Sequence, residues 1–260
     1  MKFRLDSVLY RLYERRLWSQ IKDGITHGVH PEHVAMILDG NRRFALERNL
    51  PSYLGHRFGQ EKLKEVLNWF WDLKIKYVTL YAFSTENFER PDREVKELMK
   101  LAEKAFRDIV AHPEIKKRNV KIKTIGRTHL LPSKVQTAIK EAEEATANNE
   151  GPILIIAIGY GGRAEMIDAI RSIARKVATK EMAVEDINEI VVNRHLYTNG
   201  IPDPDLIIRT SGEERLSGFL TWQSAYSELY FADVFFPGFR KIDLWRAIRT
   251  YQSRHRRYGR

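Results

Sequence analysis

Four polar clusters follow directly on short apolar runs. Asp39-Gly40-Asn41-Arg42-Arg43-Phe44 follows Val34–Leu38, and Ser84-Thr85-Glu86-Asn87-Phe88-Glu89-Arg90-Pro91 follows Tyr77–Phe83. Gly159-Tyr160-Gly161-Gly162-Arg163 follows Ile153–Ile158, and Arg209-Thr210-Ser211-Gly212-Glu213-Glu214-Arg215-Leu216-Ser217 follows Leu206–Ile208. Together they supply glycines, hydroxyls, amides, arginines and a carboxylate, the parts of a site for a diphosphate and a hard divalent metal. Glycines let backbone N–H groups approach phosphate oxygens, and a helix N-terminus adds partial positive charge. Arginine forks grip phosphate through paired hydrogen bonds. A single Asp beside bound phosphates suits Mg²⁺, which keeps waters and shares phosphate oxygens.

Each cluster alone has a plainer reading. Asp39-Gly40-Asn41 reads as a tight turn. Arg42 and Arg43 read as a solvated edge, and Arg209 and Arg215 as surface charges. Ser84 and Asn87 read as caps before the helix that Pro91 introduces. Gly161 and Gly162 suit a strand-to-helix turn, and His56 suits helix packing. Their shared position after apolar runs favours the site. Gly159 to Ala164 also satisfies G-x-G-x-x-A, a dinucleotide-binding pattern. It lies on a late strand, with no acid-terminated strand at the expected distance, so the match is read as accidental.

The elements that must position these residues alternate. Strands are expected at Val34–Leu38, Tyr77–Phe83, Val120–Ile125, Ile153–Ile158, Leu206–Arg209 and Asp233–Phe236. Helices are expected at His56–Leu73, Asp92–Ala111, Ser133–Asn148, Arg163–Thr179, Val184–Leu196 and Ile242–Arg256. That is an α/β domain with a mostly parallel central sheet flanked by helices. Ligands of such sheets bind beyond the carboxyl ends of the strands, so the clusters are expected to converge there. Residues 1–24 stand apart from the domain of residues 25–260. Leu5, Leu9, Leu12, Tyr13, Leu17 and Ile21 recur at helical spacing, flanked by Arg4, Arg11, Arg15, Arg16 and Lys22. Such a basic amphipathic helix either packs on the domain or rests on an anionic membrane surface.

Composition sets the outer bounds. The chain has 260 residues, 43% hydrophobic, enough for one large domain. It has no cysteine, which excludes disulfides and thiolate chemistry and fits a cytoplasmic protein. No apolar run reaches the roughly 18 residues of a membrane span. A formal net charge of +10 attracts polyanions, yet Arg254-His255-Arg256-Arg257 is only a short basic run without aromatic interleaving, so nucleic acid is not an expected partner. Phosphate-binding P-loop, zinc-ligand, Asp-Asp-x-x-Asp and G-x-S-x-G patterns are all missing.

The ordered motifs resemble the cis-prenyltransferase family, which includes undecaprenyl and dehydrodolichyl diphosphate synthases. They are His33 to Arg43, Gly55-His56, Tyr81 to Phe88, Tyr160 to Arg163, Asp205 to Glu213, and Phe219 to Gln223 leading to Tyr226-Ser227-Glu228-Leu229-Tyr230-Phe231. The resemblance runs from about His33 to Gly259. It implies an enzyme that extends an allylic diphosphate, farnesyl or geranylgeranyl, with isopentenyl diphosphate, giving a long polyprenyl diphosphate for a glycosyl carrier lipid. By the same resemblance, Asp39 holds Mg²⁺ and Glu228 is a second Mg²⁺-associated carboxylate. Gly40, Asn41, Arg42 and Arg43 cradle the allylic diphosphate, with His56 nearby. Ser84, Thr85, Glu86, Asn87 and Arg90 form a catalytic loop, with Asp39 and Asn87 in catalytic roles. Arg209, Arg215, Leu216 and Ser217 clamp isopentenyl diphosphate, and Phe44 and Phe88 flank the substrates. The proton acceptor stays open among an Asn87-linked water, a substrate phosphate and Asp39.

An apolar tunnel is also implied, with Ile153–Ile158, Leu98, Leu101, Phe106 and Ile109 as candidate walls. Arg257-Tyr258-Gly259 matches a tail that reaches a neighbouring subunit's diphosphate site, which implies a homodimer. Arg42 and Ser52 depart from bacterial members, as do Gly159 and Ile155, and lean the chain toward archaeal or eukaryotic ones. The alternative within the family is a non-catalytic partner subunit. Such a subunit is expected to lose the aspartate or the clamp arginines, and both are present here.

Overall fold

The computed structural model describes the backbone of residues 2–255 and the side chains of residues 12–254. The apolar runs become strands β1 (His33–Ile37), β2 (Tyr77–Ser84), β3 (Lys121–Ile125), β4 (Ile153–Tyr160), β5 (Leu206–Thr210) and β6 (Glu228–Ala232). They form one sheet in the order β3-β4-β2-β1-β5-β6, every neighbouring pair parallel. β1 and β5 are buried along their whole length, as parallel strands covered on both faces must be. The chain leaves β1 for β2 on one side and later returns to β5 on the other. That switch opens a crevice above the carboxyl end of β1.

The helices are α1 (Lys2–Thr26), α2 (Asn41–Leu46), α3 (Ser52–Asp72), α4 (Asp92–Ala111), α5 (Pro113–Lys117), α6 (Ser133–Ala145), α7 (Gly162–Ala178), α8 (Glu189–His195) and α9 (Lys241–His255). One sheet face packs Val34, Met36, Leu80 and Ile208 against Val66 and Phe70 of α3 and Ile248 of α9. Further along, Phe83 and Ile158 meet Met99 and Phe106 of α4 and Ile139 of α6. The opposite face gathers Ala35, Ile155 and Ile207 with Phe219 and Leu220. Strand side chains alternate between these layers, as period-two geometry requires.

α1 packs on α9. Leu17 and Ile21 are fully buried, each worth roughly 1.5–3 kcal/mol. Trp18 stacks on Trp245 at 5.2 Å, and Gln252 donates to the Ile21 carbonyl at 3.2 Å.

Several expected elements are corrected. Asp233–Phe236 is not a strand; the edge strand is Glu228–Ala232, paired with Leu206–Thr210. Beyond Ala232, Ser211 takes a left-handed φ of 77° and the ladder ends. Val184–Leu196 is not one helix, because Asn188 caps a new start: its Oδ1 accepts the Val191 N–H at 3.1 Å. α3 begins just after Pro51, earlier than expected; a helix start is where the missing proline N–H costs no helical hydrogen bond. α2 and α5 were not anticipated; the first begins at Asn41, the last residue of the segment read as a tight turn.

Candidate active site

Asp39 leaves β1 at the switch point and is fixed from several sides. Its carbonyl accepts from Thr210 Oγ1 at 2.7 Å and from the Phe236 N–H at 3.0 Å. Gly40 then turns the chain at φ 96°, where a Cβ would stand 2.6 Å from the Phe235 ring, so the turn requires glycine on both counts. The Gly40 N–H donates to Asp39 Oδ1 at 2.6 Å. Arg209, buried on β5, donates from Nη2 to Asp39 Oδ2 at 2.8 Å and from Nη1 to Ser217 Oγ at 2.9 Å and to the Arg215 carbonyl. Its Nε is buried with no partner. Arg43 donates to Glu213 at 2.9 Å and Ser211 at 2.6 Å, and stands 3.5 Å from Asp39. Burial alone would raise the Asp39 pKa, but the Arg209 and Gly40 hydrogen bonds outweigh it and hold the carboxyl below its usual range.

A second group sits across the crevice. β2 and β4 slip register between Tyr81 and Ser84, and the chain then makes a tight 3₁₀ turn over Thr85–Glu89. Asn87 Oδ1 accepts the Ser84 N–H at 3.1 Å, closing that turn. Arg90 Nη1 reaches Glu94 of α4 at 3.0 Å, while Arg42 and His56 lie 3.7 and 3.9 Å from the same carboxylate oxygen. Burial, helped by Arg90 and Arg42 and opposed by Glu94, pushes the His56 pKa down to about 4, so its imidazole is neutral at pH 7.

The glycine turn after β4 starts α7. A Cβ on Gly162 would stand 2.1 Å from Thr221 Oγ1, and the Gly162 N–H donates to the Gly218 carbonyl at 2.7 Å. This joins the turn to the segment that carries Ser217. Buried Glu165 braces the same junction, accepting from Tyr160 OH, Gln223 Nε2 and the Tyr197 N–H. Its burial raises its pKa despite those donors.

These groups surround one cavity of about 940 Å³. Asp39, Asn41, His56, Ser84, Thr85, Glu86, Asn87, Arg90, Arg209 and Ser217 all line it, together with Gly161, Gly162 and Arg163. Away from the charges its wall is apolar, with Leu63, Phe83, Leu98, Met99, Leu101 and Ile158.

Other expected residues stand elsewhere. Gly40, Arg42, Arg43, Arg215 and Leu216 are set back from the cavity wall. Phe44 meets Phe58 edge-on at 5.9 Å with Arg48 over its face, and Phe88 packs on Phe83 at 4.9 Å and lines a separate groove. Phe106 and Ile109 are ordinary core between α4 and α6, not tunnel wall, and of β4 only Ile158 reaches the cavity.

Glu228 stands apart from Asp39 within one chain. It pairs with Leu206 at the amino end of β5 and β6, whereas Asp39 follows the carboxyl end of β1, about 17 Å away along the strands. It bonds Arg254 at 2.7 Å instead. One chain therefore does not bring the two carboxylates together. Among the described residues, no group of three or more His, Asp and Glu is placed to hold a metal. Arg257-Tyr258-Gly259 lies outside the described residues.

Reasoning from sequence missed Gln60 and Arg127 on the cavity wall, and Glu94 and Glu165 behind it. Glu94 left one signal: it is the third residue of a helix whose cap is Pro91. Proline has no N–H for it to cap in return.

A family model described as putative undecaprenyl diphosphate synthase matches residues 37–259. The chain belongs to the undecaprenyl diphosphate synthase family. It is a cis-prenyltransferase, and its reaction is cis-prenyl chain elongation. It is 51% identical over 252 residues to a tritrans,polycis-undecaprenyl-diphosphate synthase (geranylgeranyl-diphosphate specific) of Methanopyrus kandleri, covering 97% of this chain and 92% of that one. The lavandulyl diphosphate synthase of Lavandula x intermedia, solved in complex with dimethylallyl diphosphate, superposes with a TM-score of 0.83 at 37% identity, covering 86% of this chain and 96% of that one. A probable undecaprenyl diphosphate synthase of Campylobacter jejuni superposes with a TM-score of 0.72 at 30% identity, covering 88% and 99%. In this cis-prenyltransferase the charged groups sit where the strands end, and the apolar wall leads away from them. No helix among the described residues is long and apolar enough to cross a membrane.

Proposed function

We propose that the chain condenses isopentenyl diphosphate onto geranylgeranyl diphosphate, repeatedly, to give a long polyprenyl diphosphate that serves as a glycosyl carrier lipid. One observation carries this reading: a single cavity of about 940 Å³ joins an arginine-lined rim to an apolar wall. Its geranylgeranyl-specific relatives support the choice of primer. The lavandulyl relative, bound to a five-carbon diphosphate, marks a second reading with short substrates, which the long apolar wall disfavours.

Asp39 is the residue that would hold Mg²⁺. The donor set fits: an ionised carboxylate beside guanidinium groups suits an ion whose other ligands are substrate phosphate and water. When bound, the ion would neutralise charge on the departing diphosphate. In each condensation the allylic carbon loses its bond to diphosphate, the isopentenyl double bond supplies the electrons of the new carbon–carbon bond, and a proton leaves the isopentenyl unit. Arg209, with its free Nε, and Ser217 bind the diphosphate of isopentenyl diphosphate. Asn41 on the cavity wall, backed by the arginines of α2 set behind it, holds the allylic one. Asn87 fixes the turn that carries Ser84 and Thr85 over the reacting carbons. The chief contribution is positioning and fixed charge.

Two partners follow. A second copy of the chain pairs along β6, the edge strand of the sheet, just after Tyr226, which is 99% exposed; an edge strand invites a partner. The basic α1 contacts anionic lipid, where an apolar product is delivered. Sedimentation analysis and vesicle co-pelleting test these directly.

The reaction is tested with Mg²⁺, labelled isopentenyl diphosphate and geranyl, farnesyl or geranylgeranyl primer, products being resolved by length. Long products, greatest with geranylgeranyl diphosphate and lost on chelation, are expected. A folded protein that makes none with any primer would favour a non-catalytic partner subunit.

A further inference from the structure

Glu94 gathers groups from three elements onto one carboxylate oxygen. Arg90 comes from the loop after β2 at 3.0 Å, Arg42 from α2 at 3.7 Å and His56 from α3 at 3.9 Å. The carboxylate is 13% exposed and does not line the cavity, whereas Arg90 and His56 do. An acid at the third position of a helix commonly bonds the backbone N–H of its cap residue. Pro91 offers none, so helix capping does not account for this side chain. Two guanidinium groups held this close require a counter-anion, and Glu94 supplies it from behind the wall.

The contacts are unequal. Arg90 makes a hydrogen bond, while Arg42 at 3.7 Å makes only an ionic contact. Arg42 is also half-exposed, with 49% of its side chain accessible. His56 Nε2 is buried and bonded to nothing. The cluster is therefore held on one arm and open on the other two.

We propose that Glu94 is a positioning residue that holds Arg90 on the cavity wall and Arg42 just behind it, and competes with the substrate diphosphate for them. The inference rests on the reading of this cavity as a diphosphate site. Glu94 weakens the grip of the ground state, so that a diphosphate-bearing chain is not trapped between rounds of elongation. Binding energy spent on the ground state alone raises the barrier to turnover, and a resident carboxylate trims that part.

Glu94→Gln keeps the shape and removes the charge. A non-reacting thiodiphosphate analogue of geranylgeranyl diphosphate is titrated calorimetrically into the wild type, Glu94→Gln and Glu94→Asp, with melting temperatures recorded. Removing one negative charge within several ångströms of the site is expected to tighten analogue binding about tenfold in Glu94→Gln. KM and kcat should fall together, and Glu94→Asp should restore wild-type affinity. Glu94→Ala carries the same expectation if the amide variant melts early. Unchanged or weaker analogue binding in the charge-free variants would overturn the role of Glu94 while leaving the diphosphate site intact. A wild type that does not bind the analogue would overturn both.

Discussion

The two charged groups that face each other across the crevice are built differently. On the β5 side, Arg209 is buried, Asp39 accepts at 2.6 and 2.8 Å, and Arg43 is tied to Glu213 and Ser211. On the α4 side, Glu94 makes one hydrogen bond and two longer ionic contacts. The first group centres on Arg209 within β5 and Asp39 just past β1, whose positions the core dictates, with Arg43 of α2 tied onto it. The second hangs on a loop and the first turns of helices. Rigid strands allow a pre-organised clasp, and helix ends and loops allow arms that exchange partners.

The largest effect that would break this comparison is the loss of Asp39. Asp39→Ala is expected to lower turnover on the order of a thousandfold, read as labelled polyprenyl product. Next come the arginines. Arg209→Leu strands a partly buried carboxylate and should cost about 3–5 kcal/mol in a denaturant melt, whereas Arg90→Leu, from a partly exposed pair, should cost about 1 kcal/mol or less. Equal losses would erase the distinction between clasp and arms.

A further contrast concerns protons. His56 titrates at about 4 in the folded chain against 6.5 in the unfolded one. Between those values the unfolded chain binds more protons, so stability falls as pH drops from 6.5 toward 4, by up to roughly 3 kcal/mol from this group. His56→Gln should remove that component, seen as a flatter plot of melting temperature against pH. Asp39, held below its usual range, contributes stability that is complete above that range and is lost as pH falls through it toward the lower folded value. The smallest effect on the charged groups, though not on product, belongs to Leu98→Trp. It fills the apolar wall, leaves both groups intact, and should shorten the product ladder by a few isoprene units without changing the stability difference between Arg209→Leu and Arg90→Leu.

Much of this was legible in the sequence. Continuous apolar runs such as Val34–Leu38 and Ile153–Ile158 read as buried parallel strands, and Asp92–Ala111 read as a helix at its true bounds. Polar residues immediately after those runs had to lie at strand ends, and most of them line the cavity. The edge strand was misplaced because apolar residues stand on both sides of Asp233, and only pairing with Leu206–Thr210 selects Glu228–Ala232 over the run that follows. α2 was hidden because Asp39-Gly40-Asn41 carries strong turn residues ahead of a single short helix. Phe106 looked like tunnel wall because apolar spacing marks a buried helix face without saying what it faces.

Sequence by itself determined the parallel α/β class, the strand ends as the place of chemistry, and the family. It could do so because burial pattern and local motif are properties of neighbouring residues. Tertiary structure alone decided the partners. Glu94 collects Arg42, Arg90 and His56 from separate elements, and Glu165 braces a turn through Gln223 of another segment. Glu228, close in sequence to cleft residues, stands at the opposite end of the sheet. Charge pairing acts through space over a few ångströms, and only the folded chain sets which residues come that close.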